Sequence, residues 1–177
     1  MKPLAGIAFC LLLLACLQGR VAADTHGAVP EYTMKAAYLY NFAKLTDWPA
    51  RPAATHFDLC LFGQDDFGAA LEILRGKTIH GLPLNVRSVA DAQDAKQCQL
   101  LFLGESEGNH GRYILDALKG IPTLTVTDDG RATRATAMLV LATEGRRLSF
   151  EVHHAPAKHA QLKLSSKLLR LAKRVTQ

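Results

Sequence analysis

No stretch of this sequence is long and apolar enough to cross a bilayer, which takes about 20 consecutive apolar residues. The longest apolar run, Leu4 to Leu17, lies at the N-terminus. Neither sign of charge dominates: 21 lysines and arginines against 16 aspartates and glutamates leave a formal charge of +5. So mild a balance gives no reason to expect a nucleic-acid partner. Cysteine is scarce, and two of the four residues, Cys10 and Cys16, fall inside the N-terminal apolar run. Zinc-ligand spacing, an internal repeat, a low-complexity tract and an interdomain linker are all missing. Gly104, Gly108 and Gly111 match no nucleotide fingerprint, and Glu105 and Glu107 beside them would repel a phosphate. No serine sits on a glycine-flanked elbow, so no nucleophile is in evidence and the chain reads as a non-enzyme without cofactor or metal.

What is present begins with a leader. Lys2, the apolar run and the small residues Val21, Ala22 and Ala23 have the layout of a secretory signal peptide, with cleavage expected after Ala23. Leu13-Leu14-Ala15-Cys16 loosely fits a lipid-attachment box, the alternative N-terminus. Cleavage leaves residues 24–177, the size of one domain with one core and no transmembrane segment. Export places the chain in an oxidising envelope, where Cys60 and Cys98 are most simply a disulfide; two buried thiols are the alternative.

Along the chain, strand patterns alternate with helical ones. His56 to Gly63, Leu82 to Val89, Cys98 to Leu103 and Thr123 to Thr127 read as strands, and Phe67 to Leu74 and Ser106 to Leu118 as helices. Ala137 to Ala142 and Arg147 to Val152 flank Thr143-Glu144-Gly145-Arg146, as in a hairpin. Pro156 opens a short helix, and Ser165 caps a last one running through Leu168, Leu171, Ala172 and Val175. The order predicts a three-layer α/β domain: a mostly parallel sheet, helices on both faces, and an antiparallel C-terminal hairpin at one edge. In the common strand order of such sheets the first and third strands are neighbours, which would bring Cys60 near Cys98.

Ligands of such domains bind at the carboxyl ends of the strands. Here those ends carry Asp65-Asp66, Glu105 with Glu107, and Asp128-Asp129. The acids have the arrangement of a phospho-receiver's magnesium site, but export removes its phosphodonors, and helix caps and turns account for them. His153, His154 and His159 are the densest histidine cluster; neighbours on a strand face opposite ways, so they read as solvent-facing rather than ligating. Lys163, Lys167, Arg170, Lys173 and Arg174 surround the leucines of the last helix. That pattern fits a core-packed helix with cations near its C-terminus, or contact with an anionic membrane surface.

The stretch Met34 to Pro49 is the most unusual. It is helical in period but apolar nearly all round, so it is either buried on both sides or kept for a partner. Pro49 ends it and holds Trp48 at a corner. If it is kept for a partner, the side carrying Leu39, Tyr40 and Ala43, with Trp48, is the expected contact, with that partner or with a second copy in a homodimer; burial inside the domain is the alternative.

Three blocks, KAAYLYNFAKLTDWP, LCLFGQDDFGAALEIL and SFEVHHAPAKHAQLKLSSKLLRLAKRV, resemble in order and spacing the YfiR family of periplasmic regulators (domain of unknown function 4154), over about Tyr32 to Val175. The resemblance implies a non-enzymatic repressor. It would bind the periplasmic part of an inner-membrane signalling protein, typically a diguanylate cyclase, and lower cyclic di-GMP inside the cell. The family pattern places an asparagine near His154, so this chain departs from it there. A bridge between Cys60 and Cys98 could make the repressor sensitive to envelope redox state; a purely structural bridge, never reduced in use, is the alternative. A small-ligand sensor acting on a sensor kinase or other receptor is the alternative.

Overall fold

The computed structural model describes residues 30–50, 54–63, 66–104, 107–128, 130–145 and 147–177. The leader, its cleavage site and Cys16 lie outside the described residues. The chain enters with helix α1 (Glu31–Lys44), which has Glu31 in its first turn and Lys44 in its last, both matched to the helix dipole. It continues through β1 (Thr46–Asp47), β2 (Phe57–Phe62), a 3-10 helix (Gly68–Leu74), β3 (Thr78–Ile79) and β4 (Leu82–Val89). Helix α2 (Ala92–Ala95), β5 (Leu100–Leu103), α3 (Gly108–Ala117) and β6 (Leu124–Thr127) follow. The chain closes with β7 (Leu139–Glu144), β8 (Arg147–His153), α4 (His154–His159), β9 (Lys163–Leu164), α5 (Ser166–Leu171) and β10 (Arg174–Thr176).

Eight strands form one sheet in the order β10-β8-β7-β6-β5-β2-β4-β3, and β1 pairs with β9 in a separate ribbon. The five central strands β4, β2, β5, β6 and β7 run parallel, so the first and third sequence-predicted strands are neighbours, with Cys60 level with Leu101. The β7–β8 hairpin is antiparallel. It lies at one end of the sheet as expected, and β10 adds a further strand outside it, parallel to β8.

Period-two alternation sends the side chains into two cores. Phe57, Leu59 and Leu61 of β2, Leu100 and Phe102 of β5, and Leu124 and Val126 of β6 face α1 and the C-terminal helices. Cys60 and Phe62 of β2, and Leu101 and Leu103 of β5, face Ile114, Leu115 and Leu118 of the α3 segment. Helices therefore cover both faces, the three-layer architecture the sequence pattern predicts.

Two elements differ from expectation. The segment before Gly76 is a 3-10 helix in which only Leu74 is buried. Seven residues with one buried side chain do not repay the cost of nucleating an α-helix. The last helix ends at Leu171 rather than reaching Val175, because Ala172 turns extended (ψ 138°) and the Lys173 N–H donates to the Phe150 carbonyl at 2.8 Å. Arg174–Thr176 then joins the sheet. At the other end of α5 the expected cap holds, with Ser165 Oγ accepting from the Leu168 N–H at 3.2 Å.

Candidate functional site

The carboxyl ends of β2, β5 and β6 lie side by side, as the parallel order requires, and a lysine from the first helix meets the acid at the end of β6. Lys35 of α1, only 6% exposed, pairs with Asp128 at 3.0 Å and with Glu31 at 2.7 Å. Its ammonium also stands 4.6 Å from the centre of the Tyr32 ring. Burial works to lower the Lys35 pKa, but the hydrogen bond to Glu31 and the charge of Asp128 outweigh it and hold the ammonium above its ordinary value. The Lys35 hydrogen bond in turn holds the Glu31 carboxyl below the usual range. The cluster locks the first helix onto the sheet end. Asp65, Glu105 and Asp129 lie outside the described residues. No group of three histidine, cysteine or acidic residues able to hold a metal ion occurs among those described.

Cys60 of β2 and Cys98, just before β5, are joined as a disulfide with Cα atoms 6.0 Å apart. Both are fully buried in the second core. Arg87 of β4 reaches over them: its Nη2 lies 3.7 Å from Cys98 Sγ and its Nε 3.6 Å from Asp58 Oδ1.

Of the α1 side named for a partner contact, two residues are taken up by the domain's own core. Leu39 and Ala43 are 0% exposed and pack into the first core, so they face the sheet and not solvent. Tyr40 and Trp48 remain half-buried, and each has a place in the fold. The Tyr40 hydroxyl donates to the Thr78 carbonyl at 3.3 Å. The Trp48 indole N–H donates to the Gln99 carbonyl at 3.0 Å, its ring edge-on to Phe57 and His80. An all-round apolar helix has no asymmetry to reveal its inner face, so its sequence leaves burial and partner contact both open.

The accessible part of α1 lies one residue further round. Tyr38 and Leu45 line a groove of about 620 Å³ between α1 and α5, floored by Phe42, Phe150 and Leu168. The floor is built from edge-to-face rings, Phe42 on Phe150 at 4.9 Å and Tyr38 on Phe150 at 6.0 Å. The Tyr38 hydroxyl is anchored on the Leu148 carbonyl at 3.0 Å. A second depression of about 450 Å³ lies between α3 and α4, bordered by Leu118, Met138, Pro156 and His159.

The histidine cluster does not form a site. His153 Nδ1 lies 2.7 Å from the Ala137 carbonyl, His154 opens α4, and His159 lies against Gly120. His153 and His154 are half-buried rather than solvent-facing. Burial, with the nearby Lys158 charge, pushes the His154 pKa down, and its Nδ1 is buried without a hydrogen-bond partner among the described residues.

The domain thus combines a doubly wound sheet, a Lys35–Glu31–Asp128 ion cluster at its strand ends and an apolar groove beside its first helix. The chain belongs to the YfiR/HmsC-like family (domain of unknown function 4154), whose model matches residues 32–173. Members of that family are regulatory domains of the periplasm. Among solved structures, it is similar to an ABC domain in complex with L-Trp from Streptococcus pneumonia, with 6% identity and a TM-score of 0.53 over 80% of this chain. It is similar also to a conserved domain protein from Vibrio cholerae, with 7% identity and a TM-score of 0.53 over 80% of this chain. The chain spans 60% of each of these two proteins, and at such identity the likeness is one of fold. No described helix is long and apolar enough to cross a membrane.

Proposed function

We propose that the mature chain, residues 24–177 as a single domain, is a non-enzymatic regulator. It binds the periplasmic part of an inner-membrane signalling protein, a diguanylate cyclase first among the candidates, and holds it inactive, so that cyclic di-GMP falls inside the cell. The observation that carries this reading is the family match, which runs from the start of α1 to the approach of β10. The groove beside α1 supports it, because a part-exposed apolar concavity on a periplasmic regulator is the kind of surface a protein partner covers. Affinity capture from detergent-solubilised envelopes tests the reading, with the oxidised chain as bait and mass spectrometry as readout. One membrane cyclase recovered in stoichiometric amount supports it, and no enriched membrane protein contradicts it.

The depression between α3 and α4 favours a second reading, a small-ligand sensor acting on a sensor kinase or other receptor. A metabolite that raises the melting temperature of the purified domain in proportion to its concentration would support that reading instead.

A further inference from the structure

The groove between α1 and α5 combines a closed apolar floor, open apolar walls and a rim of unanswered positive charge. Phe42, Phe150 and Leu168 are each no more than 5% exposed, whereas Leu171 on the wall is 62% exposed. Leucine that open, three residues after a fully buried one on the same helix, is not held by the domain's own core. Lys44 and Lys167 stand on the rim, one on each helix, and Arg170 follows three positions after Lys167, adjacent on the surface of α5. Lys44 leans over the Tyr40 ring at 5.6 Å. Among the described residues, none of these three cations pairs with a carboxylate, and no aspartate or glutamate lines the groove. By contrast Lys173 and Arg174, just beyond α5, are answered by Glu144 and Glu151. Asn41 is exposed on the α1 side of the groove, where its amide can bond a polypeptide backbone.

We propose that this groove receives an acidic amphipathic segment of the membrane partner. One large apolar side chain of that segment lies over Phe42 and Phe150 against Leu171, and its carboxylates face Lys44, Lys167 and Arg170. The proposal rests on the reading of the chain as a partner-binding regulator, and adds where the contact is made and by what chemistry. Charge complementarity chooses the occupant. A second copy docked through the same patch would bring two sets of these cations into one interface with no groove carboxylate to answer them. A lipid surface would meet the rim charges but leave the concave floor unfilled. An amphipathic segment satisfies both, with apolar anchors at i, i+3 and i+4 and acids between them.

The test uses the oxidised mature chain and a labelled synthetic peptide with leucine at i, i+3, i+4 and i+7 and glutamate elsewhere. Binding is expected by fluorescence anisotropy, weaker as salt rises, and about tenfold weaker for Leu171→Glu and for the double variant Lys167→Glu/Arg170→Glu, as losing a central contact predicts. These side chains are exposed, so the variants are expected to keep the melting temperature of the parent. No binding, equal binding to both variants, or equal binding of a peptide with lysine in place of glutamate overturns the proposal. So does flotation of the parent chain, but not the variants, with phosphatidylglycerol vesicles, or a dimer that Leu171→Glu dissolves. In cells, both variants should fail to lower cyclic di-GMP where the parent succeeds. If the variants repress as well as the parent, the groove is not the contact while the regulator reading stands. If the parent itself does not repress, that reading fails, and the peptide result decides the groove alone.

Discussion

Lys35 and Asp128, 93 residues apart in sequence, meet at 3.0 Å with the lysine almost wholly buried. This contact joins the first helix to the carboxyl end of β6, where a ligand would otherwise enter. Removing one partner of a buried ion pair costs about 3 kcal/mol. Lys35→Met is therefore expected to lower stability by that order in urea unfolding. A loss under 1 kcal/mol would mean that the pair is dispensable.

The same cluster sets a pH window. The folded pKa of Lys35 is raised, so its contribution is complete below the unfolded value of about 10.4 and is lost as pH rises through the folded one. The folded pKa of Glu31 is lowered, so its smaller, half-exposed contribution is present above about 4.3 and is lost as pH falls through the folded value. Melting temperature measured from pH 3 to 11 should fall at both ends, and Lys35→Met should reduce the alkaline part of the fall, leaving the share of Tyr32, whose pKa burial pushes up.

His154 adds a third effect between those limits. Its folded pKa is lowered, so the unfolded chain binds the proton more tightly and stability declines as pH drops below about 6.5. His154→Asn, which removes the titrating ring, should flatten the difference in melting temperature between pH 7.5 and pH 5. An unchanged slope would assign that decline to another group.

The Cys60–Cys98 bridge spans 38 positions and is sealed in the second core. Loop entropy gives it about 3 to 4 kcal/mol. The double variant Cys60→Ser/Cys98→Ser should lose stability by that order, and mild reductant should act on the parent only where partial unfolding opens the core. Trp48, the single tryptophan, reports both transitions by its fluorescence. Rapid reduction of the folded chain without a change in that signal would argue against a buried bridge. Equal capture of the membrane partner by oxidised and reduced chain would show that the bridge is structural and carries no redox control.

The sheet was legible because its strands announce themselves. LCLF, LLFL and LTVT are runs of apolar and β-branched residues bounded by turn residues, and the parallel order puts LLFL between the other two. The candidate site was less so. Lys35 reads as a solvated helix residue, since nothing near it in sequence but Glu31 foretells Asp128 across the fold. Leu39 and Ala43 read equally as core or as partner surface because the helix that carries them is apolar on every side, and only the sheet decides which side is inner. Val175 keeps helical spacing from Leu168, yet the open edge of β8 takes the segment as a strand. In each case a long-range partner overrides a local pattern. The groove, assembled from α1, β8 and α5, has no contiguous signal at all.

Intracellular cyclic di-GMP tests the central claim most directly. It should be measured in cells lacking the chain, cells exporting it, and cells making residues 24–177 without the leader. The account predicts a low level in the exporting cells alone, with the other two alike and high. Equal levels in all three, or a fall produced equally by the leaderless chain, would contradict a repressor that acts from the periplasm.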